Sequence, residues 1–167
     1  TGQDPEHGEG VGILTCIDAT KTGDVTATAK IWEYRGIHRS ISTVSLDPET
    51  GLIFVGDFSG FAHCLDAETG KVQWTHDMKA HMWGSTFVAD GKLYVGDEDG
   101  DFVVLAAAKE KKVISETNLG AAVYGTPIVV NGAIYLQSNT HLFAFQDPTK
   151  SGTIKDEAQK IEIKLEK

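Results

Sequence analysis

The stretch LIFVGDFSGFAHCLDAETGKVQW, residues 52–74, returns forty residues later as KLYVGDEDGDFVVLAAAKEKKVI, residues 92–114. The two align on Val-Gly-Asp-x-x-Gly, so Asp57 and Gly60 fall on Asp97 and Gly100. A third echo, GAIYL at residues 132–136, comes 41 residues after GKLYV at residues 91–95. A partial first copy is marked by its second half: CIDAT at 16–20 lies over CLDAE at 64–68, and Ile31-Trp32 over Gln73-Trp74. Self-similarity at a fixed period of 20–50 residues signals a repeat architecture.

Each copy divides into four short strands. The second gives residues 42–46, 52–56, 61–66 and 71–75; the third gives 84–88, 92–96, 102–106 and 112–116. Val, Ile, Leu, Tyr and Trp fill these segments, while Asp, Gly, Thr and Pro fill the breaks. Residues 52–55 and 102–105 are apolar at successive positions rather than alternating, as in sheets covered on both faces. No long helical pattern occurs between residues 10 and 145. One four-stranded sheet cannot cover both of its own apolar faces, but a ring of stacked sheets can. The expectation is therefore an all-β chain, a β-propeller of four-stranded antiparallel blades. About 3.5–4 blades are present, at residues 1–36, 37–77, 78–118 and 119–146. Residues 147–167 form a charged tail with room for one added strand.

Charge narrows the partners. With 15 Lys+Arg against 24 Asp+Glu, the net charge of −9 opposes nucleic acid and anionic membrane surfaces, which call for basic patches. No apolar run reaches the length of a membrane-spanning helix. Cys16 and Cys64 occupy the same slot in neighbouring copies. Stacked sheets stand about 10 Å apart and a disulfide needs Cα atoms within about 7 Å, so buried free thiols are expected.

The motif Val-Gly-Asp-x-x-Gly-x-x-x-x-Leu-Asp-Ala-x-Thr-Gly-Lys-x-x-Trp, residues 55–74, closely resembles the quinoprotein-type repeat. PQQ-dependent dehydrogenases, BamB-type outer-membrane assembly proteins and secreted PQQ-binding-like propellers share that repeat. The third copy departs, with Ala106 to Lys111 in place of Asp-Ala-x-Thr-Gly and Ile114 in place of the tryptophan. The fourth has Ser138-Asn139-Thr140-His141 in place of Asp-x-x-Gly. The resemblance implies a total of about eight blades, of which this chain would be the C-terminal part. The remaining blades of the same propeller would then be its nearest partners. It also implies a periplasmic, cell-envelope or secreted location.

Three groups of residues invite a functional reading. Asp97, Asp99 and Asp101 alternate as if to hold calcium, but an EF-hand-type loop needs glycine at position 6, and here it stands at position 4. The sibling loop keeps only Asp57 and Gly60, so the shared feature is turn chemistry: Asp for a bond to its own backbone, Gly for positive φ. Asp66, Gly70, Trp32 and Trp74 read as structural repeat positions, each indole requiring an acceptor in the adjoining blade. Arg39, His81, Trp83 and Tyr124 lie in segments leading into successive innermost strands, on the face where enzymes of the resembled family place their cofactor. A polar, partly aromatic rim there would suit an anionic or sugar-like ligand.

No catalytic residue is assigned, and no cofactor is supported by the residues themselves. PQQ and calcium enter only with the dehydrogenase reading. Those enzymes stack the quinone between a Trp and a disulfide of adjacent cysteines, and no adjacent cysteines occur here. The favoured expectation is a non-catalytic binding or scaffold module for a protein or small-molecule ligand. The alternatives are the C-terminal part of a PQQ-dependent alcohol or sugar dehydrogenase and a BamB-like outer-membrane protein assembly factor.

Overall fold

The computed structural model describes residues 11–147 and Thr149. The readings placed on residues 1–10, and on the tail apart from Asp147 and Thr149, lie outside the described residues. Among the described residues there is no helix, and thirteen strands form four antiparallel sheets. The first sheet pairs β1 (Leu14–Ile17) with β2 (Lys30–Tyr34). The second contains β3 (Ser45–Asp47), β4 (Leu52–Gly56), β5 (Phe61–Asp66) and β6 (Val72–Asp77), in chain order. The third repeats it with β7 (Phe87–Ala89), β8 (Lys92–Gly96), β9 (Asp101–Ala106) and β10 (Val113–Asn118). The fourth has β11 (Ile128–Val130), β12 (Ala133–Gln137) and β13 (Leu142–Gln146).

Middle strands fall where the sequence puts them, but the innermost ones do not. β3 and β7 start three residues later than the pattern suggests and are only three residues long. The polar residues before them leave the ladder to bond sideways into the next blade. The Ser42 hydroxyl donates to the Gly84 carbonyl at 2.8 Å, and the Thr43 N–H to Ser85 Oγ at 2.8 Å. One blade on, the Ser85 N–H donates to Thr126 Oγ1 at 3.0 Å. Ser45 continues the seam by donating to the Thr86 carbonyl at 2.6 Å. These inter-blade bonds satisfy backbone groups that a longer strand would have paired within its own sheet.

The apolar runs are explained by three cores, one in each gap between blades. In β4, Leu52 and Phe54 face the third blade, while Ile53 and Val55 face the first. In β8, Leu93 and Val95 meet the second blade, while Tyr94 meets the fourth. Alternation of side chains across a strand sends neighbours to opposite gaps, so a strand in the middle of the stack is apolar throughout. The side of the fourth blade away from the third leaves Ile128, Val130 and Leu142 exposed.

Cys16 pairs with Trp32 and Cys64 with Trp74, each followed by a break in register, so the first two blades share one hairpin irregularity. Both cysteines are free. Cys64 is buried and its thiol is pushed up to about 12 by burial, whereas Cys16, on the two-stranded sheet, is half-buried. The Trp32 indole N–H donates to the Ala67 carbonyl at 3.0 Å, and that of Trp74 to the Ala108 carbonyl at 2.8 Å. Gly70, at φ 69°, lies flat against Trp32, where a Cβ would meet the ring at 2.6 Å. Asp66 closes the same turn by accepting from the Thr69 N–H at 2.9 Å and its hydroxyl at 2.7 Å. This turn is thus the socket into which the preceding blade's tryptophan fits.

Candidate functional site

The turns after β4, β8 and β12 share one face with the segments leading into the innermost strands. One backbone bond recurs on it in three blades. The Phe58 N–H donates to the Arg39 carbonyl, Glu98 to His81 and Asn139 to Ala122, at 2.9, 3.0 and 2.9 Å. Arg39, His81 and Ala122 are therefore equivalent, as are Phe58, Glu98 and Asn139.

The turn aspartates are wholly buried at 0% exposure, and each folds onto its own turn. Asp57 Oδ1 accepts from the Phe61 N–H at 3.0 Å; Asp97 Oδ1 accepts from Asp101 at 2.9 Å and Asp99 at 3.1 Å. In the fourth blade the Ser138 hydroxyl takes over, accepting from the N–H groups of His141 at 3.2 Å and Thr140 at 3.3 Å. The turn thus persists where its motif is lost. Gly60 and Gly100 sit at φ 93° and 91°, and a Cβ there would meet the carbonyls of Ala80 at 2.4 Å and Ala121 at 2.8 Å.

The second oxygens of these aspartates differ. Asp57 Oδ2 receives His63 Nε2–H at 2.8 Å and the His38 N–H at 3.2 Å, with His38 Nδ1 also at 3.2 Å. Burial pushes Asp57 up, but the His63 side chain and the Phe61 and His38 amides outweigh it and hold the carboxyl below its ordinary value. In the third blade Val103 stands where His63 would be and Ala80 where His38 would be. Asp97 Oδ2 is left without a hydrogen bond, and burial raises this carboxyl to about 6.

Asp97, Asp99 and Asp101 do not converge: Asp97 serves the turn, and Asp101 Oδ1 accepts from Asn118 Nδ2 at 2.8 Å. Among the described residues no group of three His, Cys, Asp or Glu side chains is placed to hold a metal.

Arg39, His81, Trp83 and Tyr124 are brought together by Phe58, which the sequence reading left out. The Arg39 guanidinium lies over the Phe58 ring at 3.9 Å from its centroid. His81 stacks on the same ring at 4.3 Å with an interplanar angle of 15°, held by Nδ1–H donating to the Phe58 carbonyl at 2.6 Å. Trp83 meets Phe58 edge-on at 4.7 Å, and Tyr124 meets Trp83 at 5.9 Å and 67°. Glu98, also passed over, accepts from the Trp83 indole N–H at 2.9 Å.

A ladder therefore runs from buried Arg39 to an exposed end, where Trp83 is 37% and Tyr124 46% accessible. The signal for Phe58 and Glu98 was in the alignment, since both directly follow the turn aspartate and share one slot. The expected rim changes character here: Arg39 is buried against Phe58, and the accessible charge beside Trp83 is the carboxylate of Glu98.

Successive antiparallel sheets, joined edge to centre and packed face to face through apolar gaps, define a section of a β-propeller. The family model for PQQ-type repeats described as "Outer membrane protein assembly factor BamB" matches residues 11–113 and 59–160, and the chain belongs to this family. BamB from Moraxella catarrhalis matches with a TM-score of 0.57 and 21% identity, over 72% of this chain and 35% of that one. The quinohemoprotein alcohol dehydrogenase ADHIIG from Pseudomonas putida HK5 matches with a TM-score of 0.56 and 20% identity, over 63% of this chain and 18% of that one. No curated protein matches the chain. At these identities the structural likeness concerns the fold. Cys16 and Cys64 belong to strands β1 and β5.

Proposed function

We propose that the chain is a non-catalytic, PQQ-like propeller section that serves as a binding or scaffold module in the cell envelope or outside the cell. The observation that carries this reading is the ladder Arg39–Phe58–His81–Trp83–Tyr124, which begins on a buried cation and ends on two accessible aromatic rings. Exposed aromatic side chains braced by half-buried neighbours suit partner binding, because a rigid ring loses little entropy when it is covered. The family description favours a protein partner connected with outer-membrane assembly over a small substrate. The alternative, the C-terminal part of a dehydrogenase, would require PQQ and calcium.

The test places a photo-crosslinking residue at Trp83 or Tyr124 in the native cell envelope, with Glu49 as a control position. The expected result is crosslinking to a discrete envelope protein from the first two positions and none from the third. Titration with PQQ and calcium should give no quinone absorbance. Saturable quinone binding with dye reduction would replace this reading with the enzyme.

A further inference from the structure

We infer that the corner made by Trp83, Tyr124 and Glu98 is a site for a cationic side chain, a lysine or arginine presented by a protein partner. This rests on the binding-module reading and gives its face a ligand chemistry.

The two accessible rings meet edge to face at 67° with centroids 5.9 Å apart, so they form a corner rather than a flat patch. The Trp83 ring is fixed on two sides, by Phe58 edge-on at 4.7 Å and by its N–H bond to Glu98 Oε2 at 2.9 Å. That bond satisfies the indole's donor, and the accessible part of the Trp83 ring, 37% of the residue, is the binding surface. A cation is attracted to such a face when it stands within about 6 Å of the centroid, most strongly over Trp.

Charge on the surrounding loops agrees. Glu98 is partly accessible and Asp99 exposed, while residues 121–126 and 138–141 carry no Lys or Arg. His81 Nε2 stands 3.9 Å from Glu98 Oε1, too long for a hydrogen bond. An incoming ammonium or guanidinium can therefore take that carboxylate oxygen without displacing a strong partner. An anion at the same place would meet Glu98 and Asp99. The ladder already shows this chemistry at its buried end, where Arg39 covers Phe58 at 3.9 Å.

The test follows the indole Nε1–H resonances of the three tryptophans in the full chain, during titration with the peptide acetyl-Lys-Arg-Lys-amide. Acetyl-Glu-Glu-Glu-amide and maltose are the competitors. Expected is a saturable shift of the Trp83 signal with the basic peptide, while half-buried Trp32 and buried Trp74, each hydrogen-bonded in its socket, stay fixed and report that the fold is intact. Trp83→Leu, read through shifts of backbone amides in residues 121–126, should weaken binding about tenfold. Glu98→Gln should weaken it several-fold and reduce its dependence on salt. Basic-peptide binding that survives both substitutions would overturn the site. Trp83 shifts with maltose or the acidic peptide in place of the basic one would overturn the cation while leaving the binding module standing. Silence of Trp83 toward all three, together with loss of the envelope crosslink, would remove both.

Discussion

Asp57 and Asp97 form a natural comparison that Asp97→Asn can exploit. Both are buried and close the same turn, but only Asp57 has a donor on Oδ2. Burial lifts Asp97 from 3.8 to about 6. Between those values the folded protein keeps a proton that the unfolded chain has lost, so the stabilising effect is complete below pH about 4 and disappears as the pH rises through 6. At about 1.4 kcal/mol per pH unit, the ionised carboxylate costs up to ~3 kcal/mol at neutral pH. Asparagine keeps the Oδ1 bonds to Asp99 and Asp101 without the charge. Its buried Nδ2 lacks an acceptor, much as the protonated carboxyl does. Urea unfolding of wild type and variant at pH 4.5 and 7.5 measures the effect as a double difference, which cancels every other titrating group. Asp97→Asn should be more stable by about 1 kcal/mol at pH 4.5 and by about 3 kcal/mol at pH 7.5, a double difference of about 2 kcal/mol. Parallel pH profiles would refute the reasoning, since they would mean that Asp97 is ionised and solvated in the folded state.

His63→Val should bring the second blade closer to the third, with His38 still on Asp57 Oδ2. Removing His63 takes the 2.8 Å donor from buried Asp57 Oδ2, a loss of about 1–3 kcal/mol in denaturant unfolding at neutral pH. The stability that Asp57 contributes, present above pH about 4 and lost as the pH falls through its lowered folded value, should diminish with it. Trp74→Phe keeps the ring but abandons the Ala108 carbonyl, a loss of about 1–3 kcal/mol in denaturant unfolding. Gly100→Ala should destabilise more than Gly91→Ala, because both lie at positive φ but only Gly100 has a backbone oxygen 2.8 Å from the new Cβ. At pH 7.5 a thiol reagent should label Cys16 promptly and Cys64 only on unfolding, as its thiol is buried and pushed up to about 12.

The repeat period, the four-strand unit, the Asp-x-x-Gly turns and the requirement of Trp32 and Trp74 for an acceptor are all written in the sequence. Each depends on residues close in the chain or on the 40-residue recurrence of Val-Gly-Asp, so no knowledge of packing is needed to see them. Packing between blades decided the rest. Arg39 reads as an exposed rim charge until Phe58, nineteen positions along, is seen to cover it. Asp57 and Asp97 read alike until Val103 is found where His63 belongs. Ser138 reads as a lost turn until its hydroxyl is seen accepting the same amides as the aspartates. Turn conformation is local, but the ionisation, burial and exposure of a side chain depend on what the neighbouring sheet brings against it. That registry between sheets exists only in the folded stack, and it joins Trp83, Tyr124 and Glu98 from two blades into one corner.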